Sequence, residues 1–474
     1  MDTKKLRQKI LDLAIHGKLV PQDPNDEPAS VLLERIRAEK ERLVKEGKIK
    51  KSKATKTSDT PHYENVPFEV PKGWCWCNIT DVTSKITDGT HHSPENGLKG
   101  DYKYVTAKNI KSSGIVLDNI TYVNKEVHDE IYSRCNPEKG DILYIKDGAT
   151  TGIVAINNLE EPFSLLSSVA LIKPLGGIFN EYLLYYLQSS LCYNSVRESM
   201  KGVGITRITL KQIEKWEIPL PPQSEQQRIV TEIERWFTLI DQIEQGKADL
   251  QTTIKQTKSK ILDLAIHGKL VPQDPNDEPA SELLKRINPK AEITCDNGQY
   301  GKIPENWCVT KLGDISNYGE NENIQVEDID SNEWVLELED IEKDSANIIQ
   351  ILKKHERCIN GIRHKFTKGN ILYSKLRTYL NKVLIAPKDG YCTTEVMAFN
   401  ALGGMSNEYI CHVLRSSYFL DYTLQCGYGV KMPRLSTTDA CNGLIPLPPL
   451  AEQQRIVDAI DKAFAKLDAI MESL

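Results

Sequence analysis

The sequence predicts an α+β protein in which two similar α/β domains are joined by long antiparallel coiled-coil helices in a pseudo-twofold, circular arrangement. Residues 10–30, the connector ILDLAIHGKLVPQDPNDEPAS, return without a change at residues 261–281. Residues 218–230, the gate IPLPPQSEQQRIV, return as IPLPPLAEQQRIV at residues 445–457. Between these repeats the two halves diverge but still align, as KGDILYIK at 139–146 does with KGNILYSK at 368–375. A chain with repeated joints and divergent domains is therefore built twice.

The repeats define the domain boundaries. The chain is predicted to divide into an N-terminal helical connector with a Lys-rich linker (1–60), a first globular domain (61–217), a central helical spacer (218–290), a second globular domain (291–444) and a C-terminal helix that pairs with the central one (445–474). The Lys-rich residues 35–56 are predicted to be a helix that fades into a linker. They suit either phosphate contacts or, as we favour, a flexible solubilising linker, because residues 50–59 are poor in apolar side chains.

The central spacer is predicted to be one long helix. Ser224 and Gln227 form a capping-box pattern after the prolines of the gate. Alternating steps of three and four residues then give an apolar heptad seam. An unbroken helix from residue 224 to about residue 267, stopped by Gly268, spans ~65 Å. The predicted seam, which we also interpret as a partner interface, consists of Ile233, Trp236, Ile240, Ile243, Leu250, Ile254, Ile261 and Leu264, and of Ile460, Leu467, Ile470, Leu6, Ile10 and Leu13 in the terminal helices.

The two chain ends fall close together in the frame of the repeat. The C-terminal helix is therefore predicted to lie end to end with the N-terminal helix, so that the pair matches the central helix. Labels at Asp2 and Ser473 are expected to lie close together in the folded protein.

Bulk properties predict a cytoplasmic chain with neither a membrane span nor a metal site. No run of about 18 apolar residues occurs, and the N-terminus opens directly into a helical pattern. Cys75 and Cys77 are the only close pair among 11 cysteines, which is a poor zinc signature, so reduced core thiols are favoured. A net charge of -6 is unusual for a nucleic-acid-binding protein, unless Lys and Arg gather on one face of each domain.

The connector, the gate and the KGDILY segment together resemble the specificity (S) subunit of type I restriction-modification enzymes, over essentially the whole chain. The resemblance implies that each divergent domain is a target-recognition domain that reads one half of a split, asymmetric sequence in double-stranded DNA. It also implies that the helices set the half-site separation and dock methyltransferase (M) subunits, two of them by our prediction. A rigid helical spacer is suited to this task, because it fixes the distance between two groove contacts.

In the first domain, the segment Asp88-Gly89-Thr90-His91-His92 resembles a D-G-T-H segment common in such domains, and a hairpin turn is the alternative interpretation. Polar residues beside predicted strands suit contacts with phosphates or bases, although a solvated surface role is the more common one for each singly. The candidate DNA contacts of this domain are Thr90, His91, His92, Lys108, Asn109, Lys146, Thr150, Thr151, Lys201 and Arg207.

Arg207 ends a glycine-bearing loop that begins at Lys201, and its counterpart Arg434 ends the matching loop in the second domain. The retention of this arginine favours a shared task, either phosphate clamping, which we prefer, or local folding. In the second domain the candidates are Lys375, Arg377, Lys431 and Arg434. Lys375 and Arg377 occupy the place where base specificity is expected to diverge.

Two further groups have an ordinary interpretation that we prefer. The acidic residues Glu333, Glu337, Glu339, Asp340 and Glu342 suit contacts with cytosine amino groups, but an exposed face is favoured. His16 and His267 lie in the connectors near helix C-termini, where an imidazole is favourable without any catalytic role.

Motifs for catalysis are absent from the sequence. It contains no P-loop, no Rossmann glycine fingerprint and no N-P-P-[YF] or D-P-P-[YF] segment. The chain is therefore predicted to be noncatalytic and to hold no cofactor of its own. The resemblance places S-adenosylmethionine in the partner methyltransferase subunits, and ATP and magnesium in a partner restriction and translocation (R) subunit.

Two other functions stay open at this point: a coiled-coil protein–protein scaffold without sequence-specific DNA binding, and a self-sufficient enzyme. Selection from random DNA pools distinguishes the scaffold, and a methyl-transfer assay of the lone chain distinguishes the enzyme. The perfect repeat also suggests that coding segments recombine and exchange domains. The target sequence itself cannot be derived from the chain.

Overall fold

A computed structural model describes residues 2–49, 66–199, 207–293, 303–429 and 432–474. The chain forms two compact units, residues 1–245 and residues 246–474. The boundary lies inside the central helix, and each unit combines helices with small sheets. The predicted α+β class and the duplication are confirmed.

Unit 1 carries mostly short strands. Its helices are α1 (Thr3–Ile15), α2 (Ala29–Lys45), α3 (Lys125–Arg134), α4 (Asn180–Gln188), α5 (Ser190–Ser199), α6 (Leu210–Ile213) and the first part of α7 (Gln223–Ile266). Its strands are β1 (Cys75–Asn78), β2 (Thr83–Asp88), β3 (Tyr102–Val105), β4 (Ile110–Lys111), β5 (Gly114–Ile115), β6 (Thr121–Val123), β7 (Ile142–Ile145), β8 (Val154–Ile156), β9 (Ser164–Leu165), β10 (Val169–Pro174) and β11 (Glu217–Leu220).

Unit 2 repeats much of this order. Its further helices are α8 (Ala280–Ile287), α9 (Leu312–Ile315), α10 (Asn407–Arg415), α11 (Ser417–Cys426), α12 (Thr437–Asn442) and α13 (Leu450–Ser473). Its strands are β12 (Cys308–Lys311), β13 (Glu322–Gln325), β14 (Val335–Leu336), β15 (Ile362–Phe366), β16 (Ile371–Ser374), β17 (Val383–Ile385), β18 (Gly390–Thr393), β19 (Val396–Phe399) and β20 (Leu444–Leu447).

The shared ILY strand forms the middle of a sheet in each unit. In unit 1, β7 lies between β10 and β8 in the order β2-β10-β7-β8. In unit 2, β16 lies between β17 and β19. Every residue of β7 and β16 is buried, as expected for short apolar strands covered on both faces. An antiparallel pair, β1 with β11 and β12 with β20, then closes each domain and leads into the gate.

The central helix α7 runs unbroken for 44 residues, from Gln223 to Ile266, and confirms the predicted spacer helix. Its predicted capping box is wrong. The carbonyl of Pro222 accepts from the Gln226 amide at 2.9 Å, so the helix begins one residue before Ser224. The Ser224 hydroxyl instead donates to Asp26 of the connector at 2.5 Å. In unit 2, α13 begins in the same way behind Pro449.

The predicted seam is buried at some positions and exposed at others. Ile10, Ile233, Ile240, Ile254 and Ile460 are buried, Leu6, Leu13, Ile261, Leu264 and Leu467 are half-buried, and Trp236, Ile243, Leu250 and Ile470 are exposed. At the ends of α1 and α7 the buried positions shift to the neighbouring Leu11, Ala14, Leu262 and Ala265. There the helix packs onto its globular domain instead of a partner helix, which corrects the seam assignment of Leu13 and Leu264.

The terminal helices pack against α7. In unit 1, the Arg7 guanidinium lies 2.5 Å from Asp241 and stacks 4.9 Å from the Phe237 ring. In unit 2, Lys258 contacts Asp468 at 2.5 Å and Lys247 donates to the carbonyl of Leu474, so α13 runs antiparallel to α7. The end-to-end arrangement of α1 and α13 concerns both units and stays a prediction.

The repeated gate and connector bond to each other through a buried carboxylate, and we call this contact the joint. In unit 1, Glu225 accepts from the Trp74 indole at 2.9 Å and from the Gln22 amide at 2.7 Å. In unit 2, Glu452 accepts from Trp307 at 3.0 Å and from Gln273 at 2.7 Å.

Two further contacts complete each joint. Arg228 lies 2.6 Å from Asp26 in unit 1, and Arg455 lies 2.5 Å from Asp277 in unit 2. Gly17, at φ +64°, follows α1, and a Cβ there would meet the ring of Pro71 at 2.3 Å. The gate residues that bond to the connector, Glu225 and Arg228, are therefore the same in the second half, as Glu452 and Arg455.

The joint carboxyls make stability depend on pH. Burial raises the pKa of Glu225 above its ordinary value of 4.5, against the hydrogen bonds from Trp74 and Gln22 that lower it. A carboxyl with a raised pKa favours the folded state most when it is protonated, so its contribution is lost as the pH rises through the folded-state pKa. We expect Glu225→Gln to reduce the loss of stability between acidic and neutral pH, as measured by urea unfolding at several pH values. Glu126→Gln, on the surface of α3, is the control, and equal pH dependence in both variants would contradict the expectation.

Candidate nucleic-acid interface

In unit 1, one short segment, residues 164–168, holds three loops together through its backbone. The Leu165 carbonyl accepts from Thr90 at 2.9 Å, and the Leu166 amide donates to Val105 at 3.1 Å. The Ser168 carbonyl accepts from the amide of Lys146 at 2.9 Å. Candidate residues that are far apart in sequence are therefore assembled around one strand end. We call the surface formed by the loops at 88–92, 106–109 and 146–151, together with Arg207, the unit 1 loop cluster.

Lys146 lies at the centre of the unit 1 loop cluster and is buried. Its side chain is 2% exposed, and its ammonium lies 3.4 Å from Asp88 and 3.2 Å from Asp147. A direct contact with DNA would require this ammonium to leave both carboxylates. We therefore remove Lys146 from the candidate contacts. Its ion pairs with Asp88 and Asp147 instead hold the surrounding loops together.

The outer side of this ion network carries exposed cationic groups. Asp147 also lies 3.2 Å from Arg207, and Asp88 lies 3.6 Å from Arg134 and 3.4 Å from His91. Arg207, Arg134 and His91 are each at least half exposed. Asp88, which is buried, and Asp147, which is half-buried, thus hold positive groups at the surface. The sequence interpretation missed Arg134, which ends α3 and donates to the backbone carbonyls of Asp88 and Gly89.

The D-G segment is not a hairpin turn. Asp88 ends β2, whose neighbour in the sheet is β10, and no hairpin partner follows it directly. A Cβ at Gly89 would lie 1.8 Å from the carbonyl oxygen of Leu165. Glycine is needed here for the close approach of two backbones, which delivers Thr90 to the strand end and leaves His91 and His92 exposed.

The other unit 1 candidates differ in exposure. Lys108 and Thr150 are exposed, and Thr151 is half-buried with its hydroxyl donating to the carbonyl of Gly148 at 2.7 Å. Asn109 is 5% exposed, and its side chain accepts from the Thr106 amide at 3.1 Å. Asn109 therefore fixes a turn, and we remove it from the candidate contacts.

Unit 2 keeps the arginine of this region and changes its carboxylate partner. Arg434 lies 2.6 Å from Glu395, whereas Arg207 of unit 1 pairs with Asp147. The backbone frame is the same, because Leu435 donates to the carbonyl of Lys375 at 2.9 Å as Ile208 donates to that of Lys146 at 2.8 Å. Lys375 is half-buried, and Arg434 is 42% exposed. The arginine is the same in both units although its carboxylate partner differs, so the ion pair alone does not explain why the arginine is retained.

Arg377 has a strained backbone. It adopts the left-handed region at φ 52° and ψ 58°. The aligned position in unit 1 is Gly148, at φ 96°. A left-handed residue other than glycine costs roughly 1–2 kcal/mol. Unit 2 therefore maintains an exposed guanidinium at this turn against a backbone penalty, which is typical of functional positions.

The remaining candidates are placed as follows. Lys201 and Lys431 lie outside the described residues. In the acidic group, Glu333, Glu339 and Glu342 are exposed, Glu337 is half-buried and Asp340 is buried. His16 and His267 bond through Nδ1 to the carbonyls of Asp12 and Asp263 at 2.6 and 2.7 Å, one helical turn back.

Within the described part of the chain, no group of three or more His, Cys, Asp or Glu side chains has a metal-binding arrangement. No disulfide bond joins the cysteines in that part. None of its helices is both long enough and apolar enough to span a bilayer.

Two divergent domains on repeated joints, each with exposed arginines at equivalent loops, define the class of duplicated nucleic-acid-recognition subunits. The family model for the type I restriction modification DNA specificity domain matches residues 71–252 and 304–474. The chain belongs to this family.

Curated relatives include specificity subunits of Escherichia coli type I restriction enzymes. The EcoAI subunit is 29% identical over 97% of this chain and 88% of its own length. The EcoEI subunit is 32% identical over 60% of this chain and 54% of its own length.

Solved structures share the fold. One, described under complex assembly and conformational transition of the type I R-M system, matches with a TM-score of 0.58 and 17% identity over 86% of this chain and 94% of that one. The HsdS subunit from Thermoanaerobacter tengcongensis matches with a TM-score of 0.50 and 18% identity over 86% of this chain and 93% of that one.

Proposed function

We propose that this chain is the noncatalytic, sequence-specific DNA-binding subunit of a type I restriction-modification complex. Each unit presents a target-recognition domain (61–217 and 291–444) that reads one half of a bipartite, asymmetric target. The spacer (218–290), with the terminal segments 1–60 and 445–474, sets the separation of the half-sites. Two target-recognition domains held at a fixed distance by a rigid helix are suited to recognising an interrupted sequence.

One observation carries this proposal: the joints of the two units are bonded identically while their loops differ in chemistry. Glu225 and Glu452 hold the same tryptophan and glutamine contacts. By contrast, the turn that carries Gly148 in unit 1 carries Arg377 in unit 2. Selection that maintains the frame and diversifies the loops is expected for two readers of different sequences.

The DNA contacts proposed in unit 1 are exposed or half-buried. They are Thr90, His91, His92, Lys108, Thr150, Thr151 and Arg207, with Arg134 added, while Lys201 is carried over from the sequence. In unit 2 they are Lys375, Arg377 and Arg434, with Lys431 carried over from the sequence. The arginines suit phosphates and guanine edges, because a guanidinium forms two parallel hydrogen bonds.

Chemistry is assigned to partner subunits. Two methyltransferase subunits supply S-adenosylmethionine, and a restriction subunit supplies ATP and magnesium. Their docking surface on this chain is proposed to include the exposed apolar seam residues Trp236, Ile243, Leu250 and Ile470. Exposed apolar side chains at heptad spacing on a helix, such as Trp236, Ile243 and Leu250 on α7, are typical of protein interfaces.

Methylome sequencing of cells that express this chain with its methyltransferase partner tests the function. The expected result is methylation of two short half-sites separated by a fixed gap. Methylation of a single uninterrupted motif, or of none, would contradict the proposal. A protein–protein scaffold would select no split motif from random DNA pools.

Arg377 offers a second test, in which stability and binding move in different directions. We expect Arg377→Gly to relieve the left-handed strain, so that the free energy of unfolding does not fall, and to weaken target binding by about 1–3 kcal/mol. Urea unfolding and DNA titration of the assembled complex measure the two effects. Arg377→Ala is the matched control, because it removes the side chain but keeps the strain. Unchanged affinity in both variants would exclude a DNA contact by Arg377.

A further inference from the structure

The two units share a turn whose exposed chemistry is reversed. In unit 1, β3 is followed by the 3-10 turn Ala107–Asn109, and in unit 2, β14 is followed by the 3-10 turn Leu338–Asp340. Each preceding strand pairs in parallel with a short strand, β9 or β18. Each turn closes with a capping box, between Thr106 and Asn109 or between Glu337 and Asp340. The two turns therefore occupy equivalent places in the two domains.

The last residue of each turn is a buried anchor. Asn109 bonds to its own turn and to the carbonyl of Val116. Asp340 is fully buried and lies 2.8 Å from the guanidinium of Arg357. It also accepts from the Gln350 amide at 2.8 Å. The anchors position the residue that precedes them.

That preceding residue is exposed in both units, and its charge is opposite. It is Lys108 in unit 1 and Glu339 in unit 2. Neither the fold nor the capping box requires a charge at this place, since the shared contacts are made by the residue that caps the turn and by the last residue of the turn. The opposite charges of Lys108 and Glu339 are therefore free to differ according to what each unit binds.

The unit 2 turn borders a cavity with donors that lack acceptors. The cavity has a volume of about 360 Å³ and is lined by Glu337, Glu339, Arg357, Asn360 and Arg363, among others. The Arg357 side chain is 8% exposed, and its Nε and Nη1 have no hydrogen-bond partner among the described residues. The same is true of Nε of Arg363, whose Nη2 lies 2.9 Å from Glu337.

The acidic turn is also tied to the loop that carries Arg377. Lys382 donates to the carbonyl of Leu338 at 2.6 Å, and the Asp344 amide donates to the carbonyl of Leu380 at 3.0 Å. The backbone of the acidic turn is therefore bonded to the loop that follows Arg377.

We propose that this turn and the cavity beside it form the base-reading element of unit 2, and that it reads the major-groove edge of a cytosine–guanine pair. This inference rests on the proposed function. Carboxylates are repelled by phosphates but accept from the N4 amino group of cytosine, which suits Glu339. The side chains of Arg357 and Arg363 are almost fully buried and lie 2.8 Å from Asp340 and 2.9 Å from Glu337, so they hold the turn that presents Glu339. Lys108, at the equivalent place in unit 1, contacts an acceptor-bearing base or a phosphate.

The test is methylome sequencing of complexes that carry Glu339→Gln, Glu339→Lys or Lys108→Glu. With Glu339→Gln, discrimination in favour of cytosine at one position of one half-site is expected to fall about tenfold. With Glu339→Lys, the same position is expected to prefer guanine. Lys108→Glu is expected to alter the other half-site, and the gap is expected to stay unchanged in all three.

Glu333→Gln is the matched control, because Glu333 is an exposed carboxylate of the same unit that does not line the cavity. It is expected to leave the motif unchanged. If the wild-type complex methylates a split motif and both Glu339 variants methylate that same motif with unaltered preference, this inference is overturned while the proposed function stands. If the wild-type complex methylates no split motif, the proposed function fails and this inference fails with it.

Discussion

Replacing Lys146 by methionine is expected to destabilise unit 1 by about 3–5 kcal/mol. The ammonium lies 3.4 Å from Asp88 and 3.2 Å from Asp147, and both Lys146 and Asp88 are almost fully buried. Methionine retains the length of the side chain but leaves the Asp88 carboxylate with only the half-exposed side chains of His91, at 3.4 Å, and Arg134, at 3.6 Å, beside it. Losing one partner of a buried ion pair costs far more than the pair itself contributes, because the remaining charge stays desolvated. Chemical unfolding of the purified chain measures the loss.

Two further variants separate this effect from general sensitivity to lysine loss. Lys211→Met, at an exposed lysine of α6, is expected to change stability by less than about 0.5 kcal/mol. Adding Asp88→Asn to Lys146→Met removes the stranded charge, so the double variant is expected to be more stable than Lys146→Met alone. If Lys146→Met unfolds at the same denaturant concentration as the wild type, the ion pair does not hold these loops together.

The repeats made the frame of this protein predictable. An identical connector and a nearly identical gate predicted two equivalent halves, and periodicity from Ile233 onward predicted the long helix that the structure contains. The start of that helix was wrong, because Ser224 bonds to Asp26 of the connector, which lies about 200 residues earlier in the chain. A capping motif depends only on residues that are close in sequence. It cannot predict that folding brings a distant acceptor, such as Asp26, to the same hydroxyl.

The candidate contacts were predictable as residue types but not as surfaces. Lys146 and Asn109 are residue types that often contact DNA, yet both are buried. Lys146 pairs with Asp88, which is distant in the sequence, and Asn109 bonds within its own turn. Arg134 was missed because it ends an ordinary amphipathic helix, and nothing in its neighbourhood indicates that it reaches Asp88. The strain at Arg377 became visible only when its backbone was compared with the glycine at the aligned position.

Inserting one heptad after Gly246 in the spacer is expected to lengthen the gap in the methylated target by about three base pairs without altering either half-site. Seven helical residues add about 10 Å, whereas DNA rises about 3.4 Å per base pair. A heptad is used because it nearly preserves the face of the helix that carries the seam. We propose that loops such as those of Arg207 and Arg377 determine the bases read, and this insertion does not touch them. Methylome sequencing of the variant complex reports the gap and both half-sites together.

Gly246→Ala is the control at the same position. This glycine lies inside the helix, and a Cβ there would meet nothing within 4 Å, so alanine is expected to stabilise the helix by about 1 kcal/mol with no change in the gap. The two variants separate the length of the spacer from its stability. If the heptad insertion leaves the gap at its original length while methylation persists, the central helix is not what sets the separation. If it changes the bases of a half-site, the readers are not independent of the spacer, because a change in length alone leaves each reader's contacts intact.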